Sequence, residues 1–314
     1  MRLKVLLVSD NPGRLGNLLN RHGHLLAYAI EHGCILIDVT FFGYARMFPR
    51  LHRNVLRGRP FLPFFLLPEF YGRIVFWLIR KLLRFAPRLE RLSGGAVKHI
   101  DALYPAVINL ESEETTAALA PVRIAFLTGY LFEATEFFKK HAEAIRQQFA
   151  FPKPVVSRER AYLESLREKG AEIVGVHIRH TDYRTYCDGR WFYTVQQYAD
   201  VMRWYAAQQS PRPVQFVICS DEKQSPEDFA GLSCSIHAGD YLGDLCVLSL
   251  CDRLISTKSS FSRAAAFLGN QPLLQIFDPG DPSTHSFTKI EALEEGWTWH
   301  TEMLKRHPEP AHGS

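Results

Sequence analysis

The sequence predicts an α/β protein made of two doubly wound halves, and three observations carry that prediction. Short apolar runs of strand length alternate with longer stretches of helical periodicity. The alternation stops and restarts around FPKPVVSRE at 151–159, where Pro152 and Pro154 are expected to break any helix and mark a domain boundary, giving domains 1–153 and 154–314. Charged and hydroxyl-rich clusters fall at strand ends, the place where open parallel sheets bind ligands. A chain of 314 residues, 46% hydrophobic and 22% charged, is long enough for two such domains and unlike disordered, collagenous or coiled-coil sequences.

Residues 3–8 read as a strand, followed by the turn DNPGRLG and a helix over 17–32, in which Leu18, Leu19, Leu25, Leu26, Ala29 and Ile30 recur at helical spacing. Gly33 stands where a C-cap glycine belongs, and a second strand follows over 34–39. Runs at 107–110 and 124–127 are of strand type, and 133–149 is expected to be one helix. In the second half, helices at 157–169, 194–208, 241–251 and 261–268 alternate with strands at 173–179, 214–219, 253–257 and 273–277.

Charge is unevenly spread. Residues 46–100 carry twelve Lys and Arg against Glu69 and Glu90, a local +10, which against +4 overall leaves the rest at −6. The overall surplus is too small to imply nucleic acid, and no nucleic-acid partner is expected. Within this basic, aromatic insertion, 61–79 is interrupted by Pro63, Pro68, Glu69, Gly72 and Arg73, which argues against a membrane span. From Arg73 onward, Ile74, Trp77, Leu78, Leu82 and Phe85 share a helical face with cations interspersed. Two readings of it stand: a core-packing helix with its cations in water, or a peripheral contact with an anionic membrane through 61–91. Six cysteines without a C-x-x-C pair point to reduced core thiols rather than a zinc site, and the N-terminus lacks a signal-peptide h-region, so a cytoplasmic protein is expected, with the inner membrane as its peripheral contact.

Three polar clusters mark strand ends. In VGVHIRHTDYR at 174–184, alternation sends His177 and Arg179 to the same face at the end of an apolar strand, where burial is costly unless an anion meets them. Phosphate suits a guanidinium fork, and Asp182 either orients Arg179, takes a proton as general base, or merely ties strand to loop. In STKSSFSR at 256–263, Ser259, Ser260 and Ser262 lie at a helix N-terminus beginning near Phe261, an anion site or an ordinary cap. In CSDE at 219–222, Asp221 is available to a ribose or base. A fourth feature, PGRLGN at 12–17, offers Gly13 and Gly16 for close backbone approach and Asn17 as a cap or substrate donor.

Together GRLGN, HIRHTDY, CSDE and DLCVLSLCDRLISTKSSFS resemble, in order and rough spacing, the fucosyltransferase superfamily, nearest to the bacterial α-1,2-fucosyltransferases and similar to the α-1,6 and protein O-fucosyltransferases. The resemblance covers 1–45 and 170–270, with the H-x-R-x-x-D-Y motif matched at His177, Arg179, Asp182 and Tyr183. It implies a GT-B-like fold, two Rossmann-like domains facing across a cleft with the acceptor on the N-terminal side. It also implies a GDP-fucose donor, a glycan acceptor, inversion, and no metal or other cofactor. Carried over, Arg179 grips the β-phosphate beside His177, Asp252 reads the guanine, and Ser259, Ser260 and Phe261 help hold phosphate. Gly13, Gly16, Asn17 and Asp221 complete the expected site, with Arg179, Asp182 and Asn17 as its catalytic members. The sequence departs from the family at His180, where a second arginine is usual, at Leu18, and at Arg263, Ala264 and Ala265, so linkage and acceptor do not transfer. Another nucleotide sugar, or an inactive scaffold at a membrane surface, are the alternatives.

Arg21-His22-Gly23-His24 has the RHGH signature of histidine phosphatases, but it lies inside a predicted helix rather than directly after the first strand. Trp297 and Trp299 suit sugar stacking or sheet packing, and His307 and His312 belong to a polar tail.

Overall fold

The computed structural model describes residues 4–293, apart from 9, 11–12, 39, 103–106, 168–169 and, within 42–84, all but 44, 47–51, 55–56, 59–60, 74, 77–78 and 80–82. The aromatic run at 61–73, Trp297, Trp299, His307 and His312 lie outside the described residues.

In the first half, β1 (Val5–Val8) leads into α1 (Leu15–His32) and β2 (Ile35–Asp38). Gly33 ends α1 in the left-handed conformation, φ 62°, and its N–H caps the carbonyls of Ala29 and Ile30. Helix α2 (Ala86–Leu92) leads to β3 (Val97–Ala102), α3 (Glu113–Leu119) to β4 (Ile124–Gly129). The four strands pair in parallel in the order β2-β1-β4-β3. The basic insertion expected over 46–100 therefore ends in a strand of this sheet. The single helix expected over 133–149 is two, α4 (Thr135–Lys140) and α5 (Ala142–Gln148), meeting at His141.

Pro152 and Pro154 do not break a helix. They start one: α6 (Lys153–Leu166) takes Pro152 as its N-cap and Pro154 in its first turn, where the missing N–H has no intrahelical partner to lose. The second half then runs β5 (Glu172–Ile178), α7 (Val195–Gln209), β6 (Val214–Ser220), β7 (Cys234–Ile236), α8 (Tyr241–Leu250), β8 (Arg253–Ser256), α9 (Ser260–Gly269), β9 (Pro272–Gln275) and β10 (Phe287–Lys289). Strand order is β7-β6-β5-β8-β9-β10, parallel except for β10. All seven residues of β5 are buried, as a central parallel strand covered on both faces requires. One apolar core cluster runs through both halves, from Leu6, Leu18 and Phe138 to Leu248, Ala265 and Phe267, and a second fills the other face of the six-stranded sheet around Val176, Tyr198 and Phe216. Cys34, Cys219, Cys246 and Cys251 are buried and Cys234 half-buried, all as free thiols.

The RHGH run is internal scaffolding. Arg21, fully buried, donates to the Asp10 carboxylate at 2.8 Å, to Gly129 O at 2.9 Å and to Thr40 Oγ1 at 2.9 Å. His22 pairs with buried Asp38 at 3.1 Å. His24 accepts from the Ala134 N–H and meets Leu293 O, joining α1 to the far end of the described chain.

Candidate active site

In the second half the chain starts at β5, winds outward to β6 and β7 on one side, then returns to β8 and β9 on the other. The switch point is therefore between β5 and β8, and in such sheets the crevice at the carboxyl ends there is the ligand site. His177 and Ser256 are register partners across it, and Arg179 and Lys258 follow directly. The expected residues converge: Gly13, Gly16, Asn17, His177, Arg179, Asp182, Asp221, Ser259, Ser260 and Phe261 all line one cleft of about 730 Å³ between the two halves.

Arg179 is the best-held cation in it. Its Nε and Nη2 donate to the two oxygens of Asp182 at 3.1 and 2.8 Å, and its guanidinium lies 4.9 Å from the Tyr183 ring centroid. Burial works against the Arg179 charge, but the Asp182 carboxylate more than offsets it and holds the pKa above the ordinary value. The same pairing keeps Asp182 low despite partial burial. From the first half Arg14 approaches Asp182 at 3.9 Å, so a second cation reaches the cleft from the opposite wall.

The N-terminus of α9 forms the floor beside them. Ser259 is its N-cap residue, and Ser260 donates to Asn17 Oδ1 at 2.8 Å, bridging the halves. Helix α1 can come this close only because residue 16 is glycine: a Cβ there would lie 2.5 Å from Ser260 Oγ and 2.8 Å from Phe261 N. Gly13, at φ 135°, turns the chain along the cleft wall in a conformation other residues avoid. Asp221, expected to face a ribose or base, is occupied otherwise: it accepts from the His180 N–H at 2.8 Å and from Thr181 Oγ1 at 2.6 Å, fixing the loop after β5.

Asp252 does not join the site, and the reason is topological. It precedes β8, so it lies at the amino end of the sheet, roughly 13 Å of strand away from the cleft. There its carboxylate accepts from the Ile173 N–H at 2.8 Å and pairs with Arg167. The sequence reading also missed Asp244, Tyr44, Tyr130, Tyr186 and Tyr241, all of which line the cleft. Asp244 Oδ1 bonds His237 Nδ1 at 2.6 Å, and His237 Nε2 meets buried Glu159 at 2.8 Å. Burial opposes a charge on His237, but the flanking carboxylates raise its pKa, while burial raises that of Asp244. Cys219, His237 and Asp244 place their donor atoms within 4.8 Å of one another, the one such group among the described residues. For a cation to bind there, the His237 bonds must break and Cys219, held as a neutral thiol by burial, must lose its proton.

His177 is buried and packs at 5.1 Å on the Phe261 ring. Burial, aided by Arg179, pulls its pKa down to about 4, so the site uses a neutral imidazole. His24 is likewise drawn to about 4 by burial, and its Nδ1 is an acceptor that a proton would abolish. The folded pKa values lie below the unfolded value of 6.5, so the stability these groups confer is complete above pH 6.5 and drains away as pH falls towards 4. By linkage each costs about 3 kcal/mol across that window. Thermal midpoints measured from pH 7 to 4 are expected to fall, and replacing His24 by asparagine is expected to flatten that fall.

Residues 110–301 match the model of glycosyl transferase family 11. The chain belongs to that family. No relative with curated function matches the sequence. Solved structures similar to this family 11 chain include a mutant of Arabidopsis thaliana FUT1 in complex with GDP, with 12% identity, covering 92% of this chain and 75% of that one at a TM-score of 0.59. NodZ fucosyltransferase from Bradyrhizobium gives 17% identity, 91% and 99% coverage and a TM-score of 0.57. POFUT1 in complex with GDP-fucose gives 10% identity, 85% and 94% coverage and 0.50. These likenesses show the fold of the family 11 chain: the GT-B-like pair of α/β halves across a cleft that the motif resemblance implied.

Proposed function

We propose that this family 11 glycosyltransferase moves L-fucose from GDP-fucose to a hydroxyl of a glycan with inversion, the second half holding the donor and the first half facing the acceptor. The observation that carries the reading is the Arg179–Asp182 fork at the switch point, beside the N-terminus of α9 and opposite Arg14. Structures of the same fold with GDP or GDP-fucose bound support the donor class. In the reaction the acceptor oxygen bonds to the anomeric carbon as the bond to the β-phosphate breaks and GDP leaves. Arg179, Arg14, Lys258 and the free N–H groups of α9 meet the charge that grows on the diphosphate, work done elsewhere by a divalent metal, so turnover without metal is part of the proposal. Asp182 acts by orienting Arg179. Committed to that cation and held at low pKa, it is a poor general base.

Guanine presents adjacent N–H donors along one edge, and a carboxylate meets both. Of the cleft carboxylates, Asp182 commits both oxygens to Arg179 and Asp221 both to the 180–181 loop, whereas Asp244 is fixed by His237 through Oδ1, which favours Asp244 as the base reader in place of Asp252. Thermal unfolding with GDP, GDP-fucose, UDP and ADP, each with chelator, tests both points. GDP at a hundred times its Kd adds ~2.7 kcal/mol, a rise of roughly 5–10 °C. The rise is expected only with guanine nucleotides and is expected to vanish in Asp244→Ala but persist in Asp252→Asn. A rise with UDP instead would transfer the donor to another nucleotide sugar, and none with any nucleotide would remove the donor assignment.

A further inference from the structure

Seven of the eleven large apolar side chains that stand exposed among the described residues fall in one stretch: Ile74, Trp77, Leu78, Leu82, Phe85, Leu89 and Leu92. Tyr186 and Tyr241 belong to the cleft, so only Ile30 and Ile124 are exposed elsewhere. The two sequence readings of this stretch differ in which way its apolar face points, and it points outward: Leu92 is 83% exposed, Leu82 54% and Trp77 53%. Core packing fails as an account of these residues.

Helix α2 is inside out for a helix in water. It lies against β3 and buries Ala86, while Glu90 turns inward to accept the His99 N–H at 3.2 Å. Outward it shows Leu89 and Leu92 together with Arg88 and Arg91. Glu90 is the sole carboxylate in 74–92, and it is turned towards β3 rather than outward with Arg88 and Arg91. Arg80 and Lys81 are exposed beside the apolar side chains, Lys81 with its Nζ 3.6 Å from the Trp77 ring centroid. Apolar side chains that enter a headgroup layer, flanked by cations that meet its phosphates, are the make-up of an interfacial membrane contact. A second copy of the chain fits poorly, because a two-fold contact would set these same cations against each other. No helix among the described residues is long and apolar enough to cross a membrane.

We propose that the exposed side chains of Ile74, Trp77, Leu78, Leu82, Phe85, Leu89 and Leu92 dock the protein on an anionic lipid bilayer, seated in its headgroup layer, with Lys81, Arg88 and Arg91 on lipid phosphates. The test is co-sedimentation of the full chain with vesicles of phosphatidylcholine alone or mixed with phosphatidylglycerol, in low and high salt. Binding is expected to the mixed vesicles, weakened by salt. Substituting Lys81, Arg88 and Arg91 with glutamine is expected to weaken it about a hundredfold, as loss of three surface cations implies. Trp77→Ser with Leu82→Ser is expected to weaken it as well, and since all five side chains are exposed the thermal midpoints should stay at wild type. No binding to either vesicle overturns the proposal. So does equal binding to both kinds, or a dimer in sedimentation that the serine substitutions dissolve, which would assign the ridge to a second copy. The measurement uses neither donor nor acceptor, so its outcome is separate from that of the donor assignment.

Discussion

Arg179→Ala is expected to slow GDP release from GDP-fucose by about 10²–10³-fold, the loss of about 2.7–4 kcal/mol that removing one preorganised donor at a developing anion produces. The physical reason lies in how the side chain is held. With Nε and Nη2 fixed by Asp182 and one face towards Tyr183, the guanidinium is already oriented before substrate arrives, so none of its interaction energy is lost to ordering. Arg179→Lys keeps the charge but not the fork, and is expected to recover only a small part of the rate. Asp182→Asn should show the intermediate case: charge on Arg179 retained, orientation loosened, turnover reduced less than in Arg179→Ala. In Arg179→Ala the carboxylate left unpaired, Asp182, is partly exposed, so the loss of stability is small and the thermal midpoint of that variant without ligand should change little. Near-normal turnover in Arg179→Ala would remove the diphosphate role from this residue.

Arg21→Met is expected to be the most damaging substitution outside the cleft. It leaves Asp38, fully buried, without the cation that counters the cost of its burial, and strips donors from Asp10, Thr40 and Gly129 O. Burial would raise the Asp38 pKa, but Arg21 and His22 hold it low, so the carboxylate is charged in the folded protein. Breaking a buried pair of this kind costs about 3–5 kcal/mol, which for a chain this size lowers the midpoint by roughly 6–20 °C. Adding Asp38→Asn to Arg21→Met removes the orphaned charge and is expected to recover part of the loss. A midpoint within a degree or so of wild type in Arg21→Met would show that the network is not what holds α1 to the sheet.

The parts of the fold that could be read from the sequence are those with strong periodicity. The α1 stripe, the apolar run of β5 and the helices flanking β6, β8 and β9 were all placed within a few residues. The missed strands lack that signal. In β3, Val-Lys-His-Ile-Asp-Ala is half-buried at a sheet edge, β10 is an antiparallel edge, and β7 has three residues. In the cleft, strand alternation was enough to bring His177 and Arg179 together, and a hydroxyl cluster after a strand was enough for the α9 terminus. Asp252 was misplaced because nearness in sequence to a strand does not say which end of it: a residue before a parallel strand lies at the amino edge, away from the ligand. Asp244 was missed because a carboxylate in the first turn of a helix looks like an ordinary favourable charge at a helix start.

The seam between α1 and α9 bears on how the two halves can move. Gly16 against Ser260 and Phe261, Asn17 on Ser260, and Phe138 at 5.0 Å from the Phe267 ring form a suture alongside the cleft, backed by an apolar core common to both halves. Prising the halves apart about the connection near Pro152 would wet that shared core, so a wide clamshell motion is energetically closed to this molecule. Adjustment of the site to a ligand is then expected to fall mainly to side chains lining the cleft rather than to separation of the halves. In mechanical terms the two halves are clamped as one body, so that opening the cleft and breaking the fold draw on the same contacts.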